Sequence, residues 1–207
     1  MIKHLIFGLL LCVCTTVSGN QNCNDVVKKC ADQLSDDFKE KLGVEFTESG
    51  EEFEAAAWAA IGKSPENWFA FTALMANFRS CLGISQYCFN TKTIMEVYGL
   101  PVKDAGHYSV ILREFIYIST TAILDFEKHG ECMGKEIANK ADQLGKCKTD
   151  FAKNMEEKPN NICENLREMI NCINEIYEPC GAETQKTSCD TLQYGISVDI
   201  PDCDLQC

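Results

Sequence analysis

Twelve cysteines follow residue 19, and no other feature of the chain restricts its fold as much. They are Cys23, Cys30, Cys81, Cys88, Cys132, Cys147, Cys163, Cys172, Cys180, Cys189, Cys203 and Cys207. What they mean depends on the compartment, and the opening residues speak to that. "MIKHLIFGLLLCVCTTVSGN" has a Lys3-His4 head, an apolar run from Leu5 to Cys14 and small residues ending Val17-Ser18-Gly19. The pattern is that of a secretory signal peptide, 1–19, with cleavage expected between Gly19 and Asn20, because the apolar run is too short to span a bilayer. Two of the fourteen Cys would leave with it. An even set of twelve in an oxidising compartment implies six disulfides and an extracellular destination. Each bridge contributes about 2–4 kcal/mol by restricting the unfolded chain.

No later segment reads as a membrane span. The longest apolar stretch, "YSVILREFIYISTTAILDF", is interrupted by Arg113 and Glu114, and "DIPDCDLQC" lacks the greasy tail of a lipid-anchor signal. Lys3 would leave with the signal, so 18 basic side chains face 31 acidic ones, a net charge of −13. That balance opposes binding to nucleic acid, heparin-like polymers or anionic lipid, each of which requires a basic patch.

Helix signals dominate. "CNDVVKKCADQLSDDFKEKLG" places Cys30, Leu34, Phe38 and Leu42 four apart on one face, with Gly43 set to end the helix. "FTESGEEFEAAAWAAIG" opens with Ser49 as N-cap. Ser-x-x-Glu forms a capping box with Glu52, Phe46 can pack beside Phe53, and the surrounding glutamates suit the positive end of the helix dipole. "KSPENWFAFTALMANFRSCLG" has Ser64 as N-cap and Pro65 at the first helical position. A short helix around "TKTIMEVYG" is closed by Gly99 and Pro101. A helix buried on most sides is expected from Asp104 to Lys128, its bulk including Tyr108, Phe115, Ile116, Leu124 and Phe126. Two amphipathic helices follow, "KEIANKADQLGKCKTDFAKNMEEK" and "NICENLREMINCINEIYEPC", separated by Pro159-Asn160; Ile162, Leu166, Met169, Ile170, Ile173 and Ile176 form the stripe of the second. Beyond Gly181 the helical period is lost, and the end of the chain reads as an irregular tail held by Cys189, Cys203 and Cys207. The expected fold is all-α: a disulfide-rich helical bundle over 20–187 with a C-terminal extension, 188–207, stapled to it. Connectivity is not fixed by spacing; a local Cys81–Cys88 bridge and tail cysteines joined to the last long helix are one assignment.

Catalytic and cofactor signatures are not expected from this sequence. His107 and His129, the histidines after residue 19, sit in no metal-binding or nucleophile–base spacing, and there is no His-Glu-x-x-His, Gly-x-Ser-x-Gly or phosphate-cradling loop. The cysteine spacings lack the paired Cys-x2-Cys of a zinc ribbon. No Asn-x-Ser/Thr sequon follows the signal, "NTK" and "NIC" falling outside the usual pattern. Ser49-Gly50 in acidic company is the one site with the look of a glycosaminoglycan acceptor, although helix initiation explains the same residues.

"CENLREMINCINEIYEPCGAE", with "FRSCLGISQYC" and "GECMGKEIANKADQLGKC", resembles the nematode secreted cysteine-rich family known as domain of unknown function nineteen, over roughly Cys23 to Cys189. That resemblance implies a secreted, helical, disulfide-bonded domain with no assigned activity; Cys203 and Cys207 go beyond its usual eight-cysteine core. Ser49-Gly50 and the cysteine density are similar to the small chondroitin proteoglycans of nematodes. The Cys-x8-Cys at 163/172 resembles that of insect odorant-binding proteins, but their tight mid-chain Cys-x3-Cys is missing. Three function classes follow. The first is a non-enzymatic extracellular interaction or structural module with a protein partner. The second is a carrier of a small apolar ligand, with a cavity lined by Trp68, Phe71, Phe115 and Ile116. The third is a proteoglycan core modified at Ser49. Trp58, Trp68 and Phe69 are expected as core aromatics.

Overall fold

The computed structural model describes residues 22–207, so residues 1–21 and the expected cleavage point lie outside it. Nine α-helices and no strand occur among the described residues. They are α1 (Cys23–Leu42), α2 (Gly50–Ile61), α3 (Pro65–Leu82), α4 (Thr91–Tyr98), α5 (Val102–Thr120), α6 (Ile123–Asn139), α7 (Ala141–Glu157), α8 (Ile162–Tyr177) and α9 (Ala182–Ile196). Short 3₁₀ turns at Gly83–Cys88, Pro159–Asn161 and Glu178–Cys180 join α3 to α4, α7 to α8 and α8 to α9.

The early helix boundaries follow local chemistry. Asn22, Ser49, Ser64 and Asn90 each accept a backbone N–H of the first turn through the side chain, satisfying a donor that has no partner within the helix. Gly43 ends α1 at φ 69°, a left-handed conformation costly for a residue with a Cβ, and its N–H returns to Lys39.

Two expected helices are broken. The long segment from Asp104 ends as α5 at Thr120, where the Ser119 and Thr120 hydroxyls both donate to the Ile116 carbonyl and compete with the ladder. After the turn at Thr121-Ala122, α6 carries Leu124 outward, 74% exposed, and buries only Met133 fully. The next expected helix divides at Lys140, whose non-helical backbone separates α6 from α7.

A third difference concerns the end of the chain. Residues 182–196 are the helix α9, so a domain boundary at 188 would fall inside a helix, and only the residues beyond Ile196 are irregular. Its inward face mixes Thr184, Thr187, Thr191 and Gly195 with Cys189, Leu192 and Ile196, all buried. Two threonine hydroxyls bond locally: Thr184 donates to the Cys180 carbonyl in the preceding turn and Thr191 to that of Thr187.

The hydrophobic core divides in the same way as the bridges. Helices α1 to α5 enclose an aromatic cluster in which Phe38 meets Phe53 at 5.5 Å, Phe71 meets Phe115 edge-on at 5.1 Å, and Trp58 meets Phe115 at 5.2 Å. Leu166, Ile170, Leu192, Ile196 and Leu205 form a second cluster between α8, α9 and the tail. Met133, Cys147, Ile176 and Tyr177 form a third. Phe69 does not belong to the core: it is 63% exposed.

All twelve cysteines are paired, as Cys23–Cys88, Cys30–Cys81, Cys132–Cys180, Cys147–Cys172, Cys163–Cys203 and Cys189–Cys207. The local Cys81–Cys88 bridge is therefore not formed. Cys81 and Cys88 each face α1 instead. Cys23 and Cys30 are seven apart, as Cys81 and Cys88 are, so α1 presents two rungs at matching spacing, with Cα–Cα distances of 5.1 and 5.7 Å to Cys88 and Cys81. The tail is pinned to α8 through Cys203, as expected of the last long helix, and to α9 through Cys207. No bridge joins the first four cysteines to the last eight.

Candidate functional site at the junction of α2 and α5

Ser49, the residue with an argument for modification, stands where α2 docks onto α5. Its Oγ accepts the Glu52 N–H at 3.3 Å, as a helix cap requires, while the return bond from the Glu52 carboxylate is not formed. The chain entering the helix is held instead by α5. Tyr108 donates its hydroxyl to the Thr47 carbonyl at 2.8 Å and accepts the Thr47 N–H at 3.0 Å, and the Gly50 N–H donates to Asp104 at 3.3 Å. The hydrophobic staple is present, Phe46 lying 4.4 Å from Phe53 between ring centres.

Gly50 has a structural reason of its own. It is buried, and a Cβ added there would lie 2.9 Å from the His107 Cβ. The Ser-Gly pair that resembles a sugar-chain acceptor is thus also the close approach of two helices. Ser49 is half-buried and Glu48, Glu51 and Glu52 are exposed, so the acidic side chains face outward while the peptide unit after Ser49 faces inward.

One turn further on, polar groups gather. His107 Nε2 is 2.8 Å from Glu54 Oε2, with both side chains mostly buried. Burial opposes ionisation of Glu54, but the His107 hydrogen bond and the positive charge of Lys148 on α7 outweigh it and hold its pKa below the usual value. Glu114, two turns along α5 from His107, behaves oppositely. Burial, reinforced by the negative Glu54, pushes its carboxyl up to about 8. Its end turns toward α9, where Oε1 lies 3.2 Å from the place a Cβ on Gly195 would take. Tyr177 on α8 is pushed up to about 12 by burial and by the charge of Glu114.

Glu54 is therefore ionised at neutral pH and Glu114 holds its proton, a division of roles that acid–base catalysts also use. In this chain Glu54 faces His107 between α2 and α5, whereas Glu114 turns toward α9. Surface grooves lie elsewhere, for example along the α1–α3 bridge at Asp25, Lys29 and Cys81 and along the α7–α8 bridge at Phe151, Asn154 and Met169. Among the described residues no group of three or more His, Cys, Asp or Glu is arranged to hold a metal ion. His129 lies apart from His107, its Nε2 3.4 Å from Glu183 on α9.

A second polar node joins α5 to the end of the chain. Asp199 accepts the Thr91 N–H at the start of α4 at 2.9 Å and the Ser109 hydroxyl at 2.5 Å. Arg113, 5% exposed, donates to Ser197 at 2.8 Å and lies over the Tyr194 ring at 5.0 Å. Sequence reasoning used Arg113 and Glu114 only to argue against a membrane span. Their positions four and five residues after Ser109 were the available signal that this helix presents polar groups to a partner.

The carrier reading can be set against the packing. Phe71, Phe115 and Ile116 are buried, and Trp68 and Phe71 lie 5.7 Å apart between ring centres. These side chains meet one another in the space that a bound apolar ligand would fill. Trp68 is half-buried and donates its indole N–H to Glu127 on α6 at 3.4 Å. No helix among the described residues is long and apolar enough to cross a membrane. No family model, curated protein or solved structure matches the chain.

Proposed function

We propose that the chain is a secreted, non-enzymatic extracellular protein that acts as a rigid interaction or structural module, and that it belongs with the nematode cysteine-rich family it resembles. The observation that carries this reading is the complete pairing of twelve cysteines across helices that already pack on apolar clusters. A chain of this size can bury enough surface to fold without bridges. Six of them add resistance to unfolding and proteolysis, which serves a protein that works as a surface in an oxidising medium. Exposed apolar side chains such as Ile84, 96% exposed, and Tyr87 on the turn after α3 are candidate contacts for a protein partner.

The proteoglycan reading is retained because Ser49 is part-exposed among outward glutamates. The junction with α5 weighs against it: a transferase acting on an extended Ser-Gly would first have to detach Gly50 from Asp104 and His107. Intact mass of the exported protein, before and after reduction and chondroitin-degrading enzyme, separates the readings. A single species starting at Asn20, lighter than its reduced form by about 12 hydrogens at two per bridge, is the expected result. Free thiols would overturn the bridged module. A broad, heavy species that collapses on digestion would make the protein a proteoglycan core.

A further inference from the structure

Asn161-Ile162-Cys163 is the one place after the proposed signal where an Asn is followed two residues later by a hydroxyl or thiol side chain. Asn-linked glycosylation reads a hydroxyl at that third position. A thiol occupies the same place with a weaker S–H donor and a weaker acceptor, so it can stand in for the hydroxyl at reduced efficiency. We propose that Asn161 is an N-glycan acceptor read through the Cys163 thiol, and that its modification competes with closure of the Cys163–Cys203 bridge. This inference rests on the secretory reading given above.

The fold places Asn161 where a glycan can be carried. It ends the exposed turn Pro159–Asn161 between α7 and α8, and all three residues of that turn are exposed. The side-chain amide has a single polar contact, to the exposed Glu164 carboxylate at 3.1 Å, and the backbone N–H is satisfied by the Lys158 carbonyl at 3.0 Å. A sugar on Nδ2 therefore displaces no packed side chain. The reaction joins Nδ2 to the anomeric carbon of a lipid-diphosphate-linked oligosaccharide. The carbon–oxygen bond to the diphosphate breaks, the lipid diphosphate leaves with the electron pair, and one amide proton passes to base.

The folded state also imposes an order on events. Cys163 lies in the first turn of α8 and is bonded to Cys203, so it has no S–H to offer and its backbone is helical. Glycan transfer must precede both. Cys203 lies 40 residues further along, so the partner of Cys163 in the folded protein is not yet present when the Asn161 segment enters the oxidising compartment.

The test is expression of the full chain in secreting animal cells, with intact mass and peptide mapping before and after an amidase that converts glycosylated Asn to Asp. A fraction of the exported wild-type protein is expected to carry a glycan, with Asn161 appearing as Asp after digestion. Cys203→Ala removes the competing partner and raises that fraction; Cys163→Thr raises it further; Asn161→Gln and Cys163→Ala abolish it. The inference is overturned if wild type and Cys203→Ala both emerge at polypeptide mass while Cys163→Thr is glycosylated, or if none of the three is. A chain that is exported with six bridges and no glycan leaves the secretory reading standing and defeats this one. A chain retained in the cytosol defeats both.

Discussion

The two bridges between α1 and the α3 region are nested, and nesting has an energetic signature. Cys30–Cys81 spans 51 residues and Cys23–Cys88 spans 65. Once the inner bridge is closed, the outer one encloses only the two seven-residue flanks that separate the rungs. In the chain-entropy model a loop of the inner span restricts the unfolded state by about 4 kcal/mol, and the remaining small loop by about 3 kcal/mol. Either bridge removed alone therefore costs about 3 kcal/mol, because the survivor still closes the long loop. Removing both costs about 7 kcal/mol, exceeding the sum of the single losses by about 1 kcal/mol. The assay is guanidinium unfolding followed by helical circular dichroism on Cys23→Ala/Cys88→Ala, Cys30→Ala/Cys81→Ala and the fourfold variant, with thiol labelling to establish that no new pair has formed. Local bridges Cys23–Cys30 and Cys81–Cys88 would give a different pattern, since each double variant would strand two thiols. Free thiols in the double variants, or costs that simply add, would refute the nested arrangement.

Two further perturbations probe the junction of α2 and α5. Gly50→Ala puts a Cβ against the His107 Cβ and is expected to cost about 1–3 kcal/mol in thermal or denaturant unfolding; the loss should shrink in a His107→Gly background, which removes that Cβ, and an equal loss in both backgrounds would show that the contact is not the cause. Glu114→Gln tests the buried carboxyl. The folded protein keeps that proton up to a pH of about 8 whereas the unfolded chain releases it near 4.5, so folding takes up a proton between them and stability falls as pH rises through this window. The slope from this group is about 1.4 kcal/mol per pH unit. The Gln variant is expected to gain on wild type from pH 5 to pH 8, and parallel stability profiles would defeat the assignment.

The legible parts of this fold were those where one residue's chemistry settles a local question. Ser49, Ser64, Pro65 and Gly43 mark helix ends because an unpaired N–H or a left-handed φ has few solutions, and the structure uses them as the sequence implies. The stripe on α8 was legible for a similar reason: Leu166, Ile170 and Ile176 are buried at helical spacing. Helix α9 was hidden because threonines and a glycine are interleaved with Cys189, Leu192 and Ile196 on its inward face and dilute the apolar period. The break after α5 was hidden because Ser119 and Thr120 end a run of strong apolar residues without any Gly or Pro.

Pairwise geometry was the largest part that one chain could not reveal, and the candidate site is made of it. Glu54 and His107 are 53 residues apart, and Ser109 and Asp199 are 90 apart. Both pairs depend on α5, which fills the aromatic core with Phe115 on one side and meets α9 through Arg113 and Glu114 on another. Because no disulfide crosses from the first four cysteines to the last eight, polar contacts and packing along α5 hold the two bridged sets of helices together. A reducing agent would thus loosen each set from within and leave this seam to its hydrogen bonds and packing, whereas Asp199→Ala would release Thr91 and Ser109 together with every bridge intact. The sequence signs of that division were present in the cysteine numbering; the polar residues that span it become meaningful only once α5 and α9 lie side by side.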